Sequence, residues 1–388
     1  MLQSFNTSFP SIEDLRARAK KRVPRFAFEY LDGGCNEDVN LHRNRSDLQS
    51  VELRPRYLVD EFSPQMETVL FGQTYSAPFG IAPIGLQGLV WPGAAQILAK
   101  AAHASGIPFV LSTVSTSSIE DIAESTEGRY WFQLYHPTRI ELRDALLDRA
   151  AETGCEVLVV LSDVPSFGFR PRDIRNGLSM PPRMSIRNMA QILGRPQWAL
   201  QTLREGPPSF ASLEPYLPPG LDLSRLGKFM NETFSGRLTR DRLASIRDRW
   251  KGRLVVKGIA HEEDAQLAVD LGVDGIIVSN HGGRQLDAGQ SSIVPMTQLA
   301  SRFGSQIEVM VDSGIRSGPD IARAMASGAK FTFLGRSFMY GVGALGEKGG
   351  THTVELLKAQ LGQVMEQVGC RRTSDFPEHL VVPGSISK

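Results

Sequence analysis

His281 stands where an apolar run, GIIV (275–278), gives way to a polar turn, and it is followed by Gly282, Gly283 and Arg284. An imidazole titrates near neutrality, and a carboxylate that fixes its tautomer turns it into a general base. Asp163 closes another apolar run, VLVVLSD (157–163), and is the candidate carboxylate. The two glycines let the backbone turn tightly and approach a ligand, and Arg284 then offers a guanidinium for an anion. Lys257 ends a third run, RLVVKG (253–258), where it would meet a charged or electron-accepting ring. Two glycine-rich stretches, DSGIRSG (312–318) and LGRS (334–337), carry Arg316 and Arg336 among exposed backbone N–H groups. That combination suits a phosphate. A lone histidine is more often a packing group, but the flanking glycines and arginine favour chemistry here.

These residues need elements to hold them. Eight short apolar runs recur from residue 79 onward, at 79–83, 108–113, 130–135, 157–163, 253–258, 275–280, 307–314 and 331–336. Between most of them lie helix-length segments with apolar residues at i, i+3 and i+4. Continuous apolar strands alternating with helices predict a parallel sheet, and eight units predict a closed (β/α)8 TIM barrel. An open doubly wound sheet would want a GxGxxG turn after its first strand, and FGIAPIGLQG lacks that form. Barrel enzymes place their chemistry at the C-terminal strand ends. Gln133, Tyr135, Asp163, Lys257, Ser279, Asn280, His281, Asp312, Gly335 and Arg336 fall there.

The 388 residues carry 43 Lys+Arg against 42 Asp+Glu, a balance that argues against a general nucleic-acid coat. Cys35, Cys155 and Cys370 are too few and too scattered for a disulfide framework, which points to a reducing compartment. The first residues contain no apolar core of a secretory signal, and no run is long enough to span a bilayer. We expect helices and a hairpin in 1–78, with the hairpin turning at Gly72-Gln73, then the barrel over 79–345 and a helix and tail over 346–388. Residues 178–230 interrupt the barrel after the fourth strand. They hold eight of the 23 prolines and little regular pattern beyond WALQTL. They read as an active-site cover or as a membrane or partner surface. The KKR at 20–22 reads as a solvated helix face, and His136 is a candidate pocket residue.

The runs SNHGGRQLD, WFQLY, GIAPIGLQG, VVKG, DSGIRSG and LGR together resemble the FMN-dependent α-hydroxy-acid oxidase/dehydrogenase family over roughly residues 10–370. The resemblance implies FMN as cofactor and oxidation of an L-2-hydroxy acid of lactate or mandelate type, by proton abstraction or hydride transfer. It implies that His281 accepts the proton, with Asp163 stabilising the imidazolium. Arg284, Arg170 and Tyr30 would hold the substrate carboxylate, and Tyr135 the hydroxyl. The cofactor would take Ala82, Pro83, Gly85, Ser112, Gln133, Lys257 and Ser279 around its ring. Asp312, Gly314, Arg316, Gly335 and Arg336 would hold its ribityl and phosphate. No metal is implied.

Departures from the family pattern carry information. Leu161-Ser162-Asp163 replaces Thr-Val-Asp, removing a flavin contact, and Pro171 follows Arg170 where many members carry an acid or Arg. Val114 replaces the Trp of glycolate oxidase-like members and leaves room for a larger substrate side chain. Gly85 resembles the dehydrogenase members and points to a quinone rather than oxygen as electron acceptor. The WALQTL insertion resembles that of peripheral inner-membrane lactate dehydrogenases. The resemblance implies a cytoplasmic homotetramer, with 178–230 either covering the active site or making peripheral contact with the inner membrane. The competing readings are an oxygen-using 2-hydroxy-acid oxidase producing hydrogen peroxide, a flavin enzyme of the same fold acting on another substrate, an aldolase with a Lys257 Schiff base, and a non-catalytic flavin-binding protein.

Overall fold

The structure is a computed structural model that describes residues 7–178, 184–217, 229, 232–234 and 236–381. Ten strands are formed among them. The first two, β1 (Thr68–Leu70) and β2 (Gln73–Tyr75), make an antiparallel hairpin. The other eight are β3 (Phe79–Ile81), β4 (Val110–Ser112), β5 (Trp131–Leu134), β6 (Val157–Leu161), β7 (Arg253–Ile259), β8 (Gly275–Val278), β9 (Glu308–Val311) and β10 (Phe331–Leu334). They form one parallel sheet in the order β3-β10-β9-β8-β7-β6-β5-β4. The two ends meet where Ile81 N donates to Pro108 O at 2.9 Å and Ile81 pairs in parallel with Phe109. The sheet is thus a barrel, with helices outside it.

Alternation along the strands explains the two cores. Val157, Val159, Val255, Ile277, Met310, Phe331 and Phe333 point inward and fill the barrel with Trp131. Their neighbours Leu158, Val160, Leu254, Val256, Ile276 and Val278 face outward into the helical layer. Both faces of each strand are buried, which is why the runs read as uninterrupted apolar sequence.

The hairpin plugs the barrel at the N-terminal strand ends. Phe71 packs 5.8 Å from the Trp131 ring and Tyr75 5.7 Å from Phe331. Leu70 pairs with Gln73, so the turn is Phe71-Gly72, at φ 52° and 82°, and not Gly72-Gln73. A type I′ two-residue turn needs left-handed backbone at both central positions, and the bulky Phe71 gave no sign of accepting it.

At the opposite end, two N-terminal helices pack over the strand termini. Ile12–Arg22 is capped by Ser11, whose Oγ accepts from Asp14 N at 3.2 Å, and it lies on the Arg336–Leu345 helix. Arg25–Asp32 ends at Gly33. Lys20 and Lys21 are exposed or nearly so, as a solvated face requires, but Arg22 turns inward. Its guanidinium donates to Gly343 O and Ala344 O and stacks 4.5 Å over Trp91.

The insertion after β6 is more regular than its prolines suggested. The helix Pro171–Arg175 precedes it, and it holds Ile186–Leu193, capped by Ser185, and Pro196–Glu205. Trp198 anchors it: the indole Nε1 donates to Val90 O at 3.1 Å, and its ring meets Phe26 edge-on at 6.0 Å. Pro181, Pro182, Pro218, Pro219, Arg183, Arg225 and Lys228 lie outside the described residues.

Candidate active site

The strand ends converge on a cavity of about 470 Å³. His281, one residue past Asn280 at the end of β8, adopts left-handed backbone at φ 58°. That conformation is costly for a residue with a Cβ and is held by surrounding bonds. His281 N donates to Ser279 Oγ at 3.1 Å, and Gly282 N to Ser313 Oγ at 2.9 Å. The imidazole Nδ1 lies 3.2 and 3.3 Å from the two oxygens of Asp163. Asp163 reaches it because Gly258, at φ 102°, has no side chain; a Cβ there would stand 2.6 Å from Asp163 Cβ. Burial lowers the His281 pKa below its ordinary value, with Lys257 and Arg170 adding to the effect and Asp163 opposing it. Burial pushes Asp163 the other way, but His281 and Lys257 outweigh it and hold the carboxyl below its usual range. At neutral pH the pair is therefore a neutral imidazole against a carboxylate, the form that accepts a proton.

Lys257 is buried beside them. Its Nζ donates to Ser279 Oγ at 2.8 Å and lies 3.1 Å from Asp312 Oδ2. Burial opposes its charge, yet Asp312 and Asp163 hold its pKa above the ordinary value. It is a fixed ammonium at the cavity wall.

Three further groups form a cage for an anion. Arg284 Nη1 donates to Tyr30 O at 2.6 Å and Gly33 O at 2.9 Å, and its guanidinium lies 4.9 Å over the Tyr30 ring. Its Nη2 is buried without a hydrogen-bond partner, and so is Arg170 Nε. Burial, with repulsion from Arg170, brings the Arg284 pKa down to about 10. Buried donors of this kind carry a desolvation cost until an acceptor arrives. Tyr30 Oη donates to Gly85 O at 3.3 Å, and Tyr135 lines the same space, its phenol pushed far up by burial.

Arg316 and Arg336 are also buried in the wall. Arg336 donates to Leu31 O, Gly282 O and Gly33 O at 2.9, 2.9 and 2.7 Å. All three partners are neutral carbonyls, and burial with repulsion from Arg316 and Arg284 brings its pKa down to about 9. Burial lowers Arg316 as well. Two guanidinium groups without a full counter-charge form an anion site. Gly282 permits it, since a Cβ there would lie 2.6 Å from Arg336 Nη1.

The cavity is lined by Tyr30, Ala82, Pro83, Gly85, Tyr135, Arg170, Lys257, His281, Arg284, Asp312, Gly314, Arg316, Gly335 and Arg336. Ser112, Gln133, Ser279 and Asp163 are not among its lining residues, and neither is His136. Ser112 and Gln133 are buried at the ends of β4 and β5, Ser279 supports Lys257 and His281 from behind, and Asp163 stands behind the imidazole. Among the described residues, no cluster of His, Cys, Asp and Glu could hold a metal ion.

Sequence reasoning passed over several supporting residues. Gln285 Nε2 donates to Asp163 O and Ser166 O, and its Oε1 accepts from Arg170 Nη2 at 3.4 Å, tying two loops together. Asp287 accepts from Glu37 N and Asn40 N. Both lie inside SNHGGRQLD, so the motif pointed to them without revealing their partners. Asp173 lines the cavity without having been singled out, and Leu178 and Phe210 line it from 178–230, the segment read as a possible active-site cover.

The chain matches the family of FMN-dependent dehydrogenases over residues 19–383. The chain belongs to that family. It is 41% identical over 372 residues to a putative L-lactate dehydrogenase of Mycobacterium tuberculosis, covering 95% of this chain and 88% of that one. It is 36% identical to (S)-mandelate dehydrogenase of Pseudomonas putida, covering 95% and 93%. A crystal structure of (S)-mandelate dehydrogenase, described as a monotopic membrane protein, superposes with a TM-score of 0.91 at 35% identity, covering 97% of this chain and all of that one. Mandelate oxidase superposes with a TM-score of 0.82 at 31% identity, covering 96% and 98%.

Family members are oxidoreductases that use FMN. The residues present fit that group. Arg316 and Arg336 supply buried positive charge for a phosphate. Ala82, Pro83, Gly85 and Phe333 offer a flat, largely apolar face, and Lys257 provides a cation beside it.

Proposed function

We propose that this protein oxidises an L-2-hydroxy acid of lactate or mandelate type to the 2-oxo acid. Bound FMN supplies the two-electron acceptor. The observation that carries this reading is the neutral His281, backed by Asp163, sharing one cavity with the partnerless donors of Arg170 and Arg284. The arginines and Tyr30 hold the substrate carboxylate, and Tyr135 meets its hydroxyl. His281 takes one proton, and the developing imidazolium is stabilised by Asp163. Lys257 would stand beside the ring as a fixed cation able to offset negative charge there. Ser112, Gln133 and Ser279 would support the ring, and Arg316, Arg336, Asp312, Gly314 and Gly335 would hold the ribityl phosphate.

The electrons pass to a quinone or similar acceptor, in keeping with Gly85 and the lactate and mandelate dehydrogenase relatives. Use of oxygen, as the similarity to mandelate oxidase suggests, is the second reading. Among the described residues no helix is long and apolar enough to cross a membrane. The insertion instead exposes Ile186, Leu193 and Leu203, at 91%, 79% and 82%. Such a surface suits peripheral docking of a homotetramer from the cytoplasmic side of the inner membrane.

The test is anaerobic addition of L-lactate and L-mandelate to the yellow holoenzyme, followed by reoxidation with a quinone analogue or with oxygen. Bleaching by an L-acid and rapid recovery with the quinone alone are expected. A protein that binds no FMN, or holds it unbleached by any 2-hydroxy acid, would refute the activity. Fast recovery with oxygen would refute the choice of acceptor.

A further inference from the structure

Asp173 has no part in the chemistry above, yet it lines the cavity and is buried, at 8% exposure. It lies in the short Pro171–Arg175 helix that precedes the insertion. One oxygen, Oδ2, sits 3.7 Å from Arg170 Nη1 and 3.9 Å from Arg284 Nη2. Both separations are ion-pair distances and both exceed a hydrogen bond. The carboxylate therefore neutralises part of the arginine charge while leaving Arg170 Nε and Arg284 Nη2 as free donors. A carboxylate in direct contact would have consumed those donors, and none at all would have left two full positive charges.

The charges then add simply. Two guanidinium groups and one carboxylate leave a net single positive charge in the cage, which one bound carboxylate cancels. Lys257 and the neutral His281 face the carboxylates of Asp312 and Asp163, and Arg316 and Arg336 belong to the phosphate end. Beside Asp173 the wall carries the apolar Ile174 and Leu178, whose backbone N–H donates to Asp173 O at 2.8 Å, and Val114 and Phe210 line the same cavity. A second carboxylate on the substrate would meet either that apolar wall or Asp173 itself.

We propose that Asp173 is a specificity-determining residue that restricts the site to monoanionic 2-hydroxy acids with uncharged side chains, by holding the Arg170–Arg284 cage at a single net positive charge. This rests on the 2-hydroxy-acid reading and names the substrate's charge class within it. A ligand carboxylate bonded to the arginines would lie on the order of 6 Å from Asp173. At an effective dielectric of ~20 to 40, removing the aspartate charge favours each added ligand charge by about tenfold or more.

The experiment uses FMN-loaded protein and two hydroxy acids of equal carbon number, D-lactate as the monoanion and tartronate as the dianion. Their dissociation constants are read from the perturbed flavin absorbance, without turnover. The unaltered protein is expected to prefer D-lactate. Asp173→Asn should raise the relative affinity for tartronate about tenfold, and Asp173→Glu should restore the original preference. Asp173→Ser provides a second uncharged variant should the amide disturb the fold, and it should shift the preference the same way. A purely structural aspartate would weaken both ligands alike, and an unchanged ratio in both uncharged variants overturns the proposal. Failure of any hydroxy acid to perturb or reduce the flavin of the unaltered protein overturns the activity itself, and the two failures are distinguishable.

Discussion

Replacing Asp163 by Asn isolates the electrostatic part of proton abstraction. The substitution keeps the shape of the side chain and removes its charge, leaving the His281 Nδ1 contact at 3.2 Å uncharged. Both groups are largely buried, so the interaction is weakly screened. At that separation and an effective dielectric of ~20, the imidazolium loses about 5 kcal/mol of attraction. That is an upper limit of nearly four powers of ten in rate, since each 1.36 kcal/mol corresponds to about tenfold. The amide still makes a hydrogen bond, and Lys257 loses a neighbour, so a fall in kcat/KM of between about 10² and 10⁴ is expected. Direction in pH gives the sharper check. His281 works as the neutral base, so activity falls as pH drops through its pKa. Asp163 raises that pKa against the lowering by burial and Lys257. Without it, the acid limb of kcat/KM moves to lower pH while the plateau drops. Stopped-flow flavin reduction across the acid range reads both quantities. An acid limb that stays in place or moves upward, with FMN still bound, would refute the assignment of His281 as the base.

Two further perturbations test other parts of the site. Gly85 is closely packed: a Cβ there would lie 2.8 Å from Val114 Cγ2. Gly85→Ala should cost about 1–3 kcal/mol of stability by overpacking, and Val114→Ala in the same chain should restore most of it in a thermal melt. Equal destabilisation with and without the second change would show that the clash is not the cause. The exposed face of the insertion offers the other test. Ile186→Glu with Leu193→Glu should abolish sedimentation with anionic vesicles and leave flavin reduction by the hydroxy acid within a factor of about two, since exposed substitutions rarely exceed about 0.5 kcal/mol. Unchanged vesicle binding would remove this face as the docking surface.

The order of strands, their burial on both faces and the placing of His281, Lys257, Asp163 and Asp312 at their C-terminal ends were legible without coordinates. Parallel strands buried on both sides leave continuous apolar runs, and a barrel puts the residues after those runs at one mouth. Position along the chain thus decides which residues reach that mouth. The hairpin's turn residue was not legible, because Phe71 takes a left-handed backbone for the sake of its packing against Trp131. The helix Ile186–Leu193 was hidden among prolines that lie on either side of it.

Contacts between distant segments required the folded chain. Ser112, Gln133 and Ser279 share strand-end positions with the lining residues, yet they do not line the cavity, and the Ser279 hydroxyl is taken up by Lys257 Nζ and His281 N. Arg22 looked like one of three solvated cations, and a neighbouring helix end with the Trp91 ring drew it inward. Asp173 resembles any surface acid in sequence. Only the approach of Arg284, more than a hundred positions away, makes it a buried charge. Local sequence determines which residues can do chemistry, because residue type and strand register are local properties. Which charges balance one another is decided in three dimensions, because Coulomb interactions depend on distance through space and on the water excluded between the groups.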